Sequence, residues 1–506
     1  MIERRKLVDV AAASAGFLLA AGAVYLVGVL SGTGLVDDTF IFARCARDLA
    51  DGLGMRFNPG GEPVEGVTSL AWVGVLAAAA HLGIDVPRTA AVLGSLLAAP
   101  AAWLAGVRAG GTWAARLVLT LALACSVPFA YWAGTGMDGA LLWFFLVAVA
   151  LVFVQAPDKP LLLGVALACG VWVRLEVLFL VFPWLVIGDL VLSRTRFSRR
   201  RAAALILPAV SAAAVQFAWR AHMFGRLLPN TFDAKVALEP LPRVWHGLRY
   251  IAGAGPMLGW GAMAVWCAVV AWRAGEHRLR WLLGTVPLWL GYVIWAGGDH
   301  FGDYRFLLPA VCVVAAALAC SSRLAGASQR QWVLLAVSAA LICAVVLATK
   351  EGEEARSEVR LAQSWLKVGR WLKEHEPPGT RIAGVVAGAI PYASGFETFD
   401  MLGLVTPTVA REGRVYAGGA PGHQRWNTDA LLEAHPDVVV YPTSGRFQRP
   451  LWEEPDAIDL HYAYSLWAAV ADSRVQRLYA YEAWRLADGT WVEMLRRPGS
   501  AGGSAR

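Results

Sequence analysis

The sequence predicts a polytopic α-helical membrane domain followed by a smaller soluble α/β domain. Three observations carry that reading. The 506-residue chain is 57% hydrophobic and only 16% charged, whereas soluble domains carry about a quarter charged residues. Its mean hydropathy is +0.50. Apolar runs long enough to cross a bilayer recur along most of the chain and stop at residue 350.

The first run, "MIERRKLVDVAAASAGFLLAAGAVYLVGVL", has basic residues before a long apolar stretch and no small-x-small cleavage site. It reads as an uncleaved helix with its N-terminus in the cytoplasm. Apolar segments follow at 69–84, 88–107, 114–133, 137–155, 160–175, 176–192, 202–222, 254–272, 281–297, 305–320 and 331–349. Lys/Arg-rich loops orient them. The stretches at 193–201, 273–280 and 321–331 fall inside, and 226–236, 297–305 and everything after 350 fall outside. An even number of spans must separate the outer Asp37–Asp38 loop from the outer turn at 134–139, yet three segments lie between them. The short 69–84 segment is therefore read as re-entrant or non-spanning, which leaves about 11 transmembrane helices. Residues 1–350 form the membrane domain and 351–506 an extracytoplasmic soluble domain.

The seven cysteines lie at 45, 125, 169, 267, 312, 320 and 343, with no CxxC spacing. All but Cys45 sit in or beside apolar segments, as small core residues do. The net charge of +7 matches basic cytoplasmic loops and requires no nucleic-acid partner.

The unusual polar motifs gather on the outer side. Asp37 and Asp38 open "DDTFIFARCARDLADG", directly after the first span. One carboxylate there can cap a helix; a second at a membrane boundary suggests a general base or a cation site. The helix that follows puts Phe40, Arg44 and Arg47 on one side and Ile41, Cys45 and Leu49 on the other. That pattern predicts an interfacial helix with its arginines toward lipid phosphate. Asp138 starts a membrane helix, as a cap or a site residue. Arg174 and Glu176 lie between two apolar segments, as a mutual ion pair or a functional one. Asn230, Asp233 and Lys235 occupy an outer loop. Asp299, His300, Asp303 and Arg305 crowd "GGDHFGDYR", where Arg and His can hold a phosphate and Asp and His a metal. Acidic and basic groups gathered beside lipid suggest group transfer from a phospholipid-like donor.

In order along the chain, "DDTFIFARCARDLADGLGMRFNPGGEPVEGVTSLAW", "GTGMDGALLWFF", "VRLEVLF", "LPNTFDAKV", "GGDHFGDYRFLLPA" and "AGAIPYASGFETFDMLGLVTPTVAR" resemble the GT-C class of integral-membrane glycosyltransferases. The resemblance is nearest to the family of mycobacterial terminal β-arabinofuranosyltransferases. It implies a bacterial inner-membrane enzyme that transfers a sugar, arabinofuranose in that family, from a polyprenyl-phosphate donor. The acceptor would be a cell-envelope glycan or glycolipid on the outer face, and the anomeric centre would invert. Asp38 or Asp37 would be the base, with Asp38 preferred. Arg174, His300, Arg305 and Lys235 would hold the donor phosphate. Asp138, Glu176, Asn230 and Asp299 would serve acceptor or sugar. A divalent cation (Mg, Mn or Ca) is a possible addition, with no metal ligands assigned. The alternative is a flippase of a polyprenyl-linked glycan, but transporters place polar groups near mid-membrane, and here they lie at one rim.

In the soluble domain, "TRIAGVV", "GFETFDM" and "HPDVVVYPT" read as strands among helical segments. Asp400 and His423 read as surface polar residues in preference to the lining of an acceptor groove. Trp365, Trp371, Trp426 and Trp452 read as packing aromatics rather than sugar platforms.

Overall fold

The structure, a computed structural model, describes residues 2–109, 113–193, 198–236, 238–325, 350–442 and 458–499. Five helical stretches are long and apolar enough to cross a membrane alone: Ala13–Ser31, Val86–Val107, Arg199–Phe224, His277–Ala296 and Arg305–Leu324. The first belongs to α1 (Ile2–Ser31). After it come α2 (Asp37–Ala50), α3 (Leu70–His81) and α4 (Val86–Val107). The pair α5 (Trp113–Ala124) and α6 (Val127–Ala133) is bent by 63°, where Pro128 in the first turn of α6 has no N–H to continue a helix. Next are α7 (Gly139–Gln155), α8 (Pro160–Val173), α9 (Phe182–Leu192), α10 (Arg199–Phe224) and the short α11 (Asn230–Lys235). A second pair, α12 (Pro240–Gly253) and α13 (Leu258–Arg273), is bent by 89° at Gly255–Pro256. The helices α14 (His277–Leu283), α15 (Thr285–Ala296) and α16 (Leu308–Ala325) complete the described bundle.

If each bent pair is one span the count is seven, so the expectation of about 11 is not reached by length and composition. The difference lies in α7, α8 and the 177–192 stretch, which are apolar but shorter than 18 residues, and in the expected 331–349 span, which falls outside the described residues. The α3 helix has 12 residues, too few for a crossing at 1.5 Å per residue. At the centre, α16 buries Ala315, Ala316, Ala317 and Ala319 completely; such small side chains let neighbouring helices approach closely.

Two of the loops expected on one side do meet. Asp189 accepts two hydrogen bonds from Arg201 (2.9 and 2.8 Å) and one from Arg278 (2.7 Å). This joins the ends of α9, α10 and α14 away from the other polar motifs.

Beyond α17 (Lys350–His375) lies a five-stranded sheet in the order β2-β1-β5-β7-β6. Its strands are β1 (Arg381–Gly384), β2 (Glu397–Asp400), β5 (Val438–Val440), β6 (Ala480–Arg485) and β7 (Trp491–Arg496). The strand β1 runs parallel to both β2 and β5, while β7 is antiparallel to β5 and β6. All three valines of β5 are buried, and they alternate between two cores as a pleat requires. Val438 and Val440 pack with Val368 and Leu372 of α17. Val439 packs with Leu466 and Ala469 of α21 (Leu460–Ala471) on the other side. The short α18 (Ala389–Ser394) links β1 to β2, and between β2 and β5 lie α19 (Pro407–Glu412), a small ribbon of β3 (Arg414–Val415) and β4 (Arg425–Trp426), and α20 (Thr428–Ala434).

The sheet domain sits directly on α2, which corrects the expectation of an interfacial helix with lipid-facing arginines. Arg44 is buried and donates to the carbonyls of Phe57 (2.6 Å), Pro391 (2.7 Å) and Phe396 (2.7 Å). Arg47 bonds the Tyr392 hydroxyl, its guanidinium 3.9 Å from the ring centre. A guanidinium satisfied by three fixed carbonyls has no call on lipid phosphate.

Candidate functional site

Asp37 and Asp38 begin α2 and point to different places. Asp37 turns toward the sheet domain, where its carboxylate accepts from the N–H groups of Gly388 (3.0 Å) and Ala389 (2.6 Å). It thus caps α18 across the domain boundary. Any Cβ at position 388 would fall 2.0 Å from the Asp37 carbonyl oxygen, so only glycine permits this approach. Burial raises the Asp37 pKa to about 7 against the pull of those two bonds, with the Asp38 charge adding to the rise.

Asp38 turns the other way, into a cavity of about 680 Å³. Its nearest cation is Arg305, 3.8 Å from Oδ2. Arg305 is held by Asp299, through a close Nε contact to Oδ2 and a second bond of 3.2 Å to Oδ1. Its guanidinium lies 4.4 Å from the Phe301 ring centre and 5.1 Å from that of Trp132, a geometry that strengthens cation binding. The loop reaches this position through Gly297 and Gly298, at φ 90° and 78°. A Cβ on Gly298 would come within 2.6 Å of Tyr250.

A second cluster lines the same cavity. Arg174 lies 3.3 Å from Asp138 Oδ2 and 3.7 Å from Glu176 Oε1, and donates to the Thr68 hydroxyl. Glu176 accepts from the Tyr292 hydroxyl at 2.7 Å. Asp138 Oδ2 is buried against Arg174 and makes no hydrogen bond among the described residues. Lys235, at the end of α11, also lines the cavity; burial lowers its pKa. No carboxylate lies within ion-pair distance of it among the described residues, so it is the cation freest to meet an anion. Trp289, Trp295, Phe179 and Phe232 supply the apolar wall.

The structure thus brings Asp38, Asp138, Arg174, Glu176, Lys235, Asp299 and Arg305 to one cavity. Three expected site residues are not on its wall. Asp37 is the cross-domain cap described above. Asn230 donates instead to the carbonyls of Gly403 (2.7 Å) and Leu404 (2.9 Å), fastening a loop of the sheet domain. The His300 ring packs 4.1 Å from Phe301 and 4.6 Å from His423. Burial first, and then the neighbouring His423, press its pKa well below the usual value. A neutral ring is a poor anchor for phosphate, which corrects the cationic reading of His300.

The surface readings of Asp400 and His423 are corrected too. Asp400 is fully buried and accepts from Leu402 N (2.8 Å) and Val405 N (2.9 Å). His423 donates from Nδ1 to the Tyr462 carbonyl (3.0 Å) and presses against His300. Trp452 falls outside the described residues.

Sequence reasoning missed Thr68, Tyr292 and the arginine clamps. Arg220 and Glu65 form a fully buried pair, at 2.8 and 2.6 Å, that fixes the loop leading to Thr68. A signal for it existed: an arginine within an apolar helix demands a partner. Among the described residues no cluster of three or more His, Cys, Asp or Glu has the arrangement of a metal site.

The structure of ArnT from Cupriavidus metallidurans in its apo state matches 98% of this chain and 98% of its own, with a TM-score of 0.55 and 14% identity. The chain shares the fold of ArnT. A second structure of that protein, bound to undecaprenyl phosphate, matches 96% of this chain and 98% of its own, at TM-score 0.55 and 13% identity. The arabinofuranosyltransferase AftD from Mycobacteria aligns with 84% of this chain and 35% of its own, at TM-score 0.43 and 17% identity. Residues 351–494 match a family described as a domain of unknown function, DUF8728. No curated protein matches the chain in sequence. The architecture is therefore that of ArnT over nearly the whole length of both chains.

Proposed function

We propose that the protein is a membrane glycosyltransferase that takes a sugar from a polyprenyl-phosphate donor and passes it to a cell-envelope glycan or glycolipid. The observation that carries this reading is the Asp38 carboxylate, set in a large cavity with cations grouped beside it. The fold shared with ArnT, one structure of which holds undecaprenyl phosphate, supports a lipid-phosphate donor.

In this mechanism Asp38 accepts the proton of an acceptor hydroxyl. The freed oxygen attacks the anomeric carbon while the bond to the phosphate oxygen breaks, and the electron pair leaves with polyprenyl phosphate. Attack opposite the leaving group inverts the centre. Lys235 and Arg305 meet the charge that grows on the departing phosphate. Arg174, already paired with two carboxylates, serves to orient Asp138 and Glu176 toward sugar hydroxyls. The cavity end of the protein and the sheet domain then lie on the outer face of a bacterial cytoplasmic membrane, with residues 1–350 as the membrane domain and 351–506 as the outer domain.

The test is release of polyprenyl phosphate by the purified protein in detergent. It uses a panel of polyprenyl-phosphate sugars, arabinofuranose included, with a crude envelope acceptor and with or without chelator. Transfer of one sugar with inversion supports the reading. Tight binding of every donor without transfer would replace it with carriage of a lipid-linked sugar.

A further inference from the structure

The right-angle bend between α12 and α13 has a geometric consequence. The α13 helix is an apolar membrane helix with Val265, Val269 and Trp272 exposed along it. With α13 taken as the crossing part of this pair, α12, bent by 89° from it, runs along the membrane plane. The exposed large apolar residues of α12 are Leu241, Trp245 and Leu248, a spacing that forms one stripe. The opposite face is pressed on α15, where a Cβ on Gly247 would fall 2.3 Å from the Ile294 carbonyl oxygen. The stripe therefore looks away from the protein, with the Arg249 guanidinium 5.2 Å from the Trp245 ring centre. Leucine and tryptophan flanked by arginine suit the lipid headgroup boundary.

The sheet domain has a similar face nearby. The α21 helix exposes Leu460, Tyr462 and Trp467 while burying Leu466 and Ala469. The Tyr462 ring lies 6.4 Å from that of His300. The loop carrying His300 is fastened to α12: the Tyr304 hydroxyl donates to the Gly253 carbonyl (2.5 Å), and Phe306 N donates to the Tyr250 hydroxyl (3.3 Å).

We infer that the sheet domain rests on the lipid headgroup surface through Leu460, Tyr462 and Trp467, continuing the lipid-facing stripe of α12. Two features favour a bilayer over a glycan as the partner. Leu241, Leu248 and Leu460 offer no flat ring for a sugar, whereas they do gain by entering lipid. On both sides of the bend, α12 and α13 also turn large apolar side chains outward. A seated sheet domain holds Leu404 and Pro421, its share of the cavity wall, at a fixed height over the membrane.

The test places single nitroxide labels on the full-length protein in phosphatidylcholine–phosphatidylglycerol nanodiscs, with the exposed Cys169 replaced by serine. Labels go on Leu241→Cys, Leu460→Cys, Trp467→Cys and, as a control on exposed α17 surface, Glu374→Cys. Collision rates with oxygen and with a water-soluble nickel chelate report depth. Leu460 and Trp467 are 36% and 39% exposed, so labels there are read only in variants whose unfolding temperature matches the wild type. The expected result is preferential oxygen collision at 241, 460 and 467, and nickel collision at 374. Nickel access at 460 and 467 equal to that at 374 would overturn the inference and leave that face open to glycan or protein. Nickel access at 241 would overturn its premise.

Discussion

Two amphipathic helices of equal length, α2 and α12, have 14 residues each and opposite fates. Nine residues of α2 are buried, Arg44 and Asp48 among them, whereas only Arg243 and Gly247 of α12 are. Both patterns announce an apolar face and a basic one. The difference arises elsewhere in the chain: the carbonyls of Pro391 and Phe396 claim Arg44, and among the described residues nothing comparable claims Arg249. Periodicity says that a helix has two faces. Which of them is covered depends on distant segments that bring unsatisfied backbone groups to it.

The largest expected effect separates the two carboxylates at the head of α2. Asp38→Asn should lower transfer kcat roughly a hundred- to ten-thousand-fold, the range for loss of a general base, with unfolding temperature nearly unchanged. Asp37→Asn should do the reverse, weakening the hold on the sheet domain while a measurable kcat survives. Equal loss of kcat in both variants at unchanged stability would merge their roles and undo the distinction drawn from Gly388 and Ala389.

Next in size is the clamp itself. Arg44→Ala strands three buried carbonyls, each worth about 1–3 kcal/mol when unsatisfied, so a loss of at least about 3 kcal/mol is expected. The matching Arg249→Ala on α12 should stay within about 0.5 kcal/mol. Arg44→Lys should recover only part, because one ammonium cannot reproduce a planar fork. Thermal unfolding in a single detergent measures all three. Equal losses at 44 and 249 would mean that α2 is no more tied to the sheet domain than α12 is.

Much of this was legible in the chain. The apolar runs, the change of composition at residue 350 and the ordered polar motifs led to the architecture, and seven of the expected site residues share one cavity. What escaped was pairing across long separations. Asp37 and Ala389 are 352 residues apart, and no local pattern says that the carboxylate meets backbone rather than ligand. His300 read as a cation because its partner, His423, lies in another domain. The β6–β7 hairpin went unread although Asp488–Gly489 marks its turn, a signal of the kind that closes hairpins. The bend at Pro128 also divided the 114–133 run that the sequence joined.

The smallest effect is a slope of stability with pH, and it sets groups at the domain boundary against one on α12. Asp37 has its pKa raised from 3.8 to about 7 in the fold, with Asp38 and Glu358 facing it. Its contribution is full below about pH 4 and is lost as pH rises toward 7. His423 is lowered from 6.5 to about 4, chiefly by burial, with Asp38, Lys235 and His461 around it. Its contribution is full above pH 6.5 and is lost as pH falls toward 4. His300 has the same sign as His423. Each group changes stability by at most about 1.4 kcal/mol per pH unit while it titrates. Asp48 and Asp400, each raised by burial to about 6, share the sign of Asp37, so each group is read from the change its variant makes in the slope of stability on acidification from pH 6.5 to 4. Asp37→Asn should tilt that slope toward loss by removing the opposing group, and His423→Gln should tilt it toward gain. His246 on α12, whose pKa is lowered by partial burial, should matter least, so His246→Gln leaves the slope nearly as it was. Chemical unfolding across this pH range would reverse the ranking of the two regions if His246→Gln tilted the slope toward gain more than His423→Gln, because the stronger desolvation would then lie on α12 and not where the sheet domain meets α2.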